Sequence, residues 1–371
     1  MVATRVLFVS GVWVPASGGS EISFHTLAVE LHKRGHAVRV LTGISVDGKL
    51  GEDLIDGVAV RRATEADLAD AVAEEFAAFE PDLVATQLMW AEQVLPLAKG
   101  AGVASVYFLR SEGPTLDLRL GGALAPAAIV ANSAITRAYA RRQWDRDALV
   151  VLPLVRLSDY VAPAGARRPD RVTMFNPVAE KGGHLFRELV ARSPQRRFLA
   201  VEGWHHWKRP DGTWDLERLA SAARGYGSTT PRPPHAVRLN GLSNVEWVPA
   251  SSDVRPVYER TRVLVVPSVW AEPFGRVILE AMANGIPVLY SGTGSSAMAA
   301  ADAGIRVAHP ERVESWLAAL STLDDEAAYS AASAASLRRA DEYDMAAEVD
   351  KVIALLDQLP QAATGECRAV R

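Results

Sequence analysis

Short continuous apolar runs alternate along the chain with stretches of helical periodicity. Val6-Leu7-Phe8-Val9 is such a run, as expected for a strand covered on both faces of a parallel sheet. A glycine-bearing turn follows at 17–20. Then comes a stretch in which Ile22, Leu27, Val29 and Leu31 fall mainly on one side, ending at Lys33-Arg34-Gly35 with cations and a C-terminal stop. Val38–Leu41 is the next strand, which completes one β-α-β unit. Further runs lie at Leu83–Ala85, Ser105–Leu109 and Ala128–Ala131, the last ending at Asn132-Ser133, a pair suited to a helix cap.

The pattern breaks near 153–171, where VAPAGARRPDR gathers proline, glycine and arginine as an inter-domain connection would. It restarts with Val172–Phe175, a loop holding Lys181-Gly182-Gly183, a helix, and Phe198–Val201. Later strands are expected at Val245–Val248, Arg262–Val266 and Pro287–Tyr290. Strands alternating with helices predict a doubly wound parallel sheet in each half, so the expected fold class is α/β with two Rossmann-like domains. Residues 204–243, with WHHWKRPDGTW and STTPRPPH, exceed a minimal α/β unit and read as a surface excursion, with covering or recognising a substrate as the alternative.

The length of 371 residues suits two cores better than one. A net charge of −4 argues against nucleic acid as a partner, whose binders carry a strongly basic footprint. No run approaches the ~20 apolar residues of a membrane span. The N-terminal run reads as a strand rather than a secretion signal, so a cytoplasmic protein is expected. The single cysteine, Cys367, can form neither an internal disulfide nor a cysteine-based zinc site. His32 and His36 flank Arg34-Gly35 at a helix-to-strand junction, where a solvated turn is expected rather than a metal site. Asp145-Arg146-Asp147 reads as surface charge. The helix at 137–144 (RAYARRQW) also reads as solvated, with weak peripheral membrane contact as the alternative.

The informative segment is VLVVPSVWAEPFGRVILEAMANGIPVL, residues 263–289. A strand ends at Pro267, a loop holds Trp270 to Pro273, a helix starts around Gly275, and Asn284-Gly285 closes it. The helix start at Gly275-Arg276-Val277 offers backbone N–H groups to an anion such as a diphosphate. Gly275 permits close approach of a ligand to the backbone. Glu280, one turn beyond Arg276, lies ~6 Å further along the helix. That is a suitable place to accept hydrogen bonds from a ribose diol. Glu272 would then face the sugar on the far phosphate.

This segment resembles the donor-site signature of the retaining GT-B glycosyltransferases of glycosyltransferase family 4 (glycosyl transferases group 1). The resemblance extends to the first β-α-β unit, to AEKGG at 179–183 and to DVRPVY at 253–258. It implies a nucleoside-diphosphate sugar as co-substrate, UDP first and GDP next, bound in a cleft between domains without any metal or other cofactor. It implies domains at 1–165 (acceptor) and 170–344 (donor), with 345–371 returning to the first. By the same resemblance Lys181 neutralises the diphosphate, Glu280 holds the ribose and Glu272 holds the sugar hydroxyls. Pro273, Phe274, Gly275 and Arg276 contact sugar and phosphates, and Gly18 and Gly19 form a loop closing on diphosphate or acceptor.

The sequence departs from the family at three places. Asn176, at a donor-binding position, stands where an arginine is usual, Arg110, a candidate catalytic residue, stands where a histidine near the reacting sugar is usual, and Met298 lies near a usual glutamate. These departures leave a pseudo-glycosyltransferase or a sugar-nucleotide epimerase on the same fold as alternatives, and a fold-retaining non-catalytic protein as another. A nicotinamide enzyme is disfavoured because no G-x-G-x-x-G follows the first strand. Nothing in the sequence specifies the acceptor, which could be a small molecule, a natural product or a glycan, or the oligomeric state.

Overall fold

The computed structural model describes residues 3–15, 18–43, 50–112, 125–203 and 237–359. The expected excursion at 204–243 lies mostly outside them, as does Cys367. The described chain divides into two compact units. One runs to Leu154 and takes in residues 346–359; the other comprises the described residues from Val155 to Met345. The division thus falls before residue 165, because the connecting segment is tied to the second unit. There Asn284 Nδ2 donates to the Tyr160 carbonyl at 3.0 Å, and Ala162 N donates to Asn284 Oδ1 at 2.8 Å.

The first unit holds β1 (Arg5–Ser10), α1 (Gly19–Lys33), β2 (Ala37–Thr42), β3 (Gly51–Ile55), β4 (Val58–Arg62), α2 (Leu68–Phe79), β5 (Leu83–Gln87), α3 (Ala91–Gly100), β6 (Ala104–Leu109), β7 (Ala128–Ala131), α4 (Ala134–Trp144) and β8 (Leu149–Val150). Its sheet has the order β3-β4-β2-β1-β5-β6-β7-β8. All pairs are parallel except β3 with β4, an antiparallel edge hairpin that the apolar runs did not announce. Its strand β3 is mostly exposed. Strand β1 shows why continuous apolar runs were the right signal. Leu7 and Val9 pack with Leu41 and Val84 on one face, while Phe8 meets Phe24 and Trp13 edge-on over the other. Ser133 caps α4 through a capping box with Thr136.

The second unit holds β9 (Arg171–Phe175), α5 (Gly183–Ala191), β10 (Arg197–Val201), β11 (Val245–Val248), α6 (Arg255–Arg260), β12 (Thr261–Val266), α7 (Arg276–Met282), β13 (Val288–Tyr290), α8 (Ser296–Ala300), β14 (Ile305–Arg306), α9 (Val313–Thr322) and α10 (Glu326–Asp341). Its parallel sheet has the order β11-β10-β9-β12-β13-β14. Helix α5 buries Phe186, Leu189 and Val190, the i, i+3, i+4 face, against Phe198, Val263 and Trp316. Each such side chain removed from water contributes about 1.5–3 kcal/mol. Helix α11 (Met345–Gln358) packs with the first unit, where Glu348 Oε2 accepts from Leu152 N at 2.9 Å and Asp350 pairs with Arg34.

Packing bears on two readings of local polarity. His36 is buried rather than solvated; its Nδ1 accepts from Thr4 N, and desolvation lowers its basicity. On α4, Arg137 and Arg141 both bond to Asp147, which they hold far below the usual carboxylate range. Trp144 packs edge-on against Tyr107 and Tyr139, while the Arg141 and Arg142 side chains beside it stay exposed. Among the described residues no helix is long and apolar enough to cross a membrane.

Candidate active site

In open α/β sheets ligands gather outside the carboxyl ends of the strands, where the strand order reverses. In the second unit that reversal lies between β9 and β12, since β10 flanks β9 on the other side. The loops leaving those two strands carry Lys181 and Glu272.

The two loops touch backbone to backbone. Val269 N and Trp270 N both donate to the Glu180 carbonyl, at 3.1 and 3.3 Å. Gly182 makes this approach possible: its φ is +84°, and a Cβ there would stand 2.0 Å from the Pro267 carbonyl oxygen. A third loop, after β13, closes on the same place. Ser295 N donates to the Glu272 carbonyl at 2.6 Å, and a Cβ on Gly294 would come within 2.2 Å of Glu272 N.

This packing brings together most of the residues singled out from sequence. Lys181 Nζ lies 2.5 Å from Glu272 Oε2 and 4.9 Å from the centroid of the Trp270 ring. Ser268 Oγ and Trp270 Nε1 also donate to Glu272 Oε2, each at 3.2 Å. Burial alone would raise the Glu272 carboxyl; the Lys181 charge and these three hydrogen bonds outweigh it and hold the group below its ordinary value.

At the end of the loop that carries Glu272, Gly275 caps α7 in the left-handed conformation and Phe274 is buried, with Pro273 half-buried beside it. Arg276 and Glu280 form an i, i+4 pair at 3.6 Å. Tyr258 OH donates to Glu280 Oε2 at 2.8 Å, and Arg276 donates to Tyr160 OH at 3.0 Å. Here desolvation wins: the Glu280 carboxyl is raised, despite Arg276 and Tyr258, and the buried Tyr258 phenol is raised well above its usual range. Helix α7 is only two turns long, so most of any positive charge offered to an anion must come from Lys181 and Arg276 rather than from the helix end.

Asn176 follows β9 with φ +54°, a left-handed conformation that asparagine tolerates better than most residues. Its backbone N–H donates to Val201 O at 2.7 Å, and its neutral side chain packs on Gly203. Arg110, Gly18 and Gly19 belong to the first unit. Arg110 Nε donates to Gln87 Oε1 at 2.7 Å, and its guanidinium lies 5.5 and 5.2 Å from the Phe24 and Phe108 ring centroids. Gly18 is the extended N-cap of α1, and Gly19 is that helix's first residue. Met298 lies on α8.

Sequence reading missed the roles of Tyr258, Tyr160, Ser268 and the Trp270 indole. Tyr258 stands in the quoted DVRPVY segment, but a buried helical tyrosine carries no local sign of the carboxylate it meets. Among the described residues no three of His, Cys, Asp or Glu are grouped to hold a metal ion.

Comparison with known proteins locates the same segment. Residues 223–325 match the family described as Glycosyl transferases group 1. The D-inositol 3-phosphate glycosyltransferase of Corynebacterium aurimucosum is 27% identical over 192 residues, covering 50% of this chain and 41% of that relative. The matched stretch therefore spans about two-fifths of that relative's length. Among solved structures, sucrose-phosphate synthase from Thermosynechococcus elongatus superposes with a TM-score of 0.71 at 18% identity, covering 95% of this chain and 98% of that one. Anabaena HepE, solved with UDP and glucose, gives 0.71 at 19% identity, with 96% and 100% covered. The two Rossmann-like units are thus those of the GT-B fold.

Proposed function

We propose that the chain, whose fold is GT-B and whose residues 223–325 match glycosyl transferases group 1, is a glycosyltransferase that moves a sugar, with retention of configuration, from a nucleoside-diphosphate sugar to a hydroxyl acceptor. UDP is the favoured nucleotide, in keeping with the UDP bound to the Anabaena neighbour, and GDP is the next choice. One observation carries the reading: two carboxylate–cation pairs, Lys181–Glu272 between two loops and Arg276–Glu280 on the helix that follows, stand together at the strand-order reversal.

In this reading Glu280 accepts from the ribose hydroxyls, and Lys181 and Arg276 face the diphosphate. Glu272 accepts from a hydroxyl of the transferred sugar. The bond between the anomeric carbon and the diphosphate oxygen breaks as the acceptor oxygen bonds to the same face of that carbon. The acceptor's proton leaves with the departing phosphate oxygen. Cations fixed in place before the reaction stabilise the charge building on the leaving group, so no metal ion is needed. Arg110, Gly18 and Gly19 are assigned to the acceptor and loop side, and Asn176 contributes a neutral amide where a second loop cation would otherwise sit.

The test is a thermal-shift screen with UDP, GDP, ADP and their glucose conjugates, followed by product analysis with the nucleotide that binds. Binding of one nucleotide that is lost in Glu280→Ala, together with a new glycoside of unchanged anomeric configuration, is expected. A free 2-epimer of the sugar, or coupling without a sugar anomer, would move the assignment to the epimerase or the pseudo-glycosyltransferase.

A further inference from the structure

Three donors converge on a single oxygen of Glu272: the Lys181 ammonium at 2.5 Å, and the Ser268 hydroxyl and Trp270 indole N–H at 3.2 Å each. Oxygen Oε1 receives none of them, and no other described residue bonds to it. A carboxylate offers about two lone-pair directions per oxygen, so Oε2 is saturated while Oε1 keeps its full capacity.

Trp270 meets both members of the ion pair. Its ring edge donates to the carboxylate, and its ring face lies against the Lys181 ammonium at 4.9 Å from the centroid. The ring is anchored on Lys181's own turn by the two bonds from Val269 N and Trp270 N to the Glu180 carbonyl. Ser268, two residues before Trp270, is held too, since Ser291 Oγ and Thr293 Oγ1 both donate to the Ser268 carbonyl at 2.7 Å. One aromatic side chain thus fixes the separation of the cation from the anion and fixes which carboxylate oxygen the cation takes.

We propose that Trp270 is a positioning residue that divides the Glu272 carboxylate, tying Oε2 to the protein and reserving Oε1 for a hydroxyl of the transferred sugar. The inference rests on the glycosyl-transfer reading above for the identity of the incoming hydroxyl, and on the geometry alone for the division of the carboxylate. Among the described residues Lys181 is the one charged group that bonds to Glu272. Ser268 and Trp270 are neutral donors, and Ser295 reaches only the Glu272 main-chain carbonyl.

The experiment compares Trp270→Phe, which keeps the ring face and removes the N–H, with Trp270→Leu, which removes both. Ser268→Ala, which removes the other neutral donor to Oε2, serves should the tryptophan variants not fold. Three quantities are read: the titration of the Glu272 side-chain carboxyl carbon by NMR, the affinities for UDP, GDP and ADP by calorimetry, and donor kcat/KM against pH. In Trp270→Phe the Glu272 carboxyl is expected to titrate at higher pH than in the wild type. Its affinity for the nucleotide that binds should stay within about two-fold, and donor kcat/KM should fall about ten-fold, the size of one hydrogen bond to a charged group. Trp270→Leu should lose a further factor of about five in nucleotide affinity, as Lys181 loses its aromatic support. Ser268→Ala should move the Glu272 titration in the same direction. An unchanged titration in Trp270→Phe and Ser268→Ala overturns the inference, as does an equal loss of nucleotide affinity in both tryptophan variants. Failure of the wild type to bind any of the three nucleotides would instead defeat the glycosyl-transfer reading, and the NMR titration would still decide the role of Trp270.

Discussion

Glu272 and Glu280 are buried carboxylates eight positions apart, each beside one cation and each bonded by an aromatic side chain, yet their acidities are displaced in opposite directions. The contrast lies in how the charge is met. Glu272 has an ammonium at bonding distance and two further donors on the same oxygen. Glu280 has one phenol, and a guanidinium at 3.6 Å that also bonds to Tyr160. Burial penalises both anions, and only a close cation with convergent donors overcomes it. The first pair is therefore a satisfied anion with one oxygen to spare. The second is an anion short of donors, which two ribose hydroxyls would supply.

Removing Lys181 should have the largest effect. Breaking a buried pair by deleting one partner costs about 3–5 kcal/mol, because the remaining charge is stranded. Lys181→Ala should lower the melting temperature and reduce donor kcat/KM by roughly a thousand-fold or more, a factor in line with the loss of charge stabilisation at a leaving group. Lys181→Ala combined with Glu272→Gln should recover most of the stability and none of the transfer. Recovery of neither, by calorimetry and steady-state rates, would mean that the pair is not what holds these loops together.

Glu280→Ala should act mainly on binding. It removes the proposed acceptor for a ribose diol but leaves Arg276 bonded to Tyr160. Affinity for the nucleoside diphosphate should fall about 10–100-fold, at 1.5–3 kcal/mol for hydrogen bonds to a charged group. The melting temperature without nucleotide should change far less than in Lys181→Ala. Equal losses of stability in the two variants would erase the distinction drawn between the pairs.

The two carboxylates also predict different responses to acid. The folded-state value of Glu272 is depressed, so its contribution to stability is present above the ordinary glutamate value and is lost as pH falls through the lower, folded value. That of Glu280 is raised, so its proton is taken up at higher pH, and its ability to accept from a ribose fails first. Nucleotide affinity should therefore decline on acidification before the protein itself loses stability. Calorimetric titrations and melting curves over the same pH series would show this. Coincident declines would contradict it.

The fold was legible because both faces of the central strands are covered, which writes the strands into the sequence as unbroken apolar runs. The β3–β4 hairpin escaped notice because β3 is mostly exposed and carries no such run. In the site, the residues on one continuous segment, Glu272 to Glu280, could be placed on a loop and a helix from spacing alone. Their partners could not. Lys181 stands 91 positions from Glu272, Tyr160 stands 116 from Arg276, and Tyr258 is 22 from Glu280 across a strand and a loop. Such pairings are made by the order of strands in a sheet, which no periodicity encodes. Lys181 was reached only through resemblance; Tyr258 lay inside a segment of that resemblance with no role attached, Tyr160 lay outside it, and both were missed. His36 failed for a related reason: a helix-to-strand junction looks solvated until the strand beside it, entered at Thr4, covers it.

The smallest expected effect concerns Tyr258, and it sharpens the comparison most finely. Tyr258→Phe keeps the ring that packs beside Phe175, 5.5 Å between centroids, and removes only the hydroxyl that donates to Glu280. A fully buried carboxylate that loses a donor can take up a proton instead of remaining stranded, so the stability loss should be limited to about 1 kcal/mol. The same escape should show in binding. With one donor fewer the Glu280 carboxyl rises further, and the acid limb of nucleotide affinity should move to higher pH while affinity on the alkaline plateau stays near that of the wild type. Glu272, which shares no hydrogen bond with Tyr258, should titrate unchanged in the same variant. A shift at Glu272 as large as that at Glu280 would show the two pairs to be one coupled network, and the separate roles argued for them would not stand.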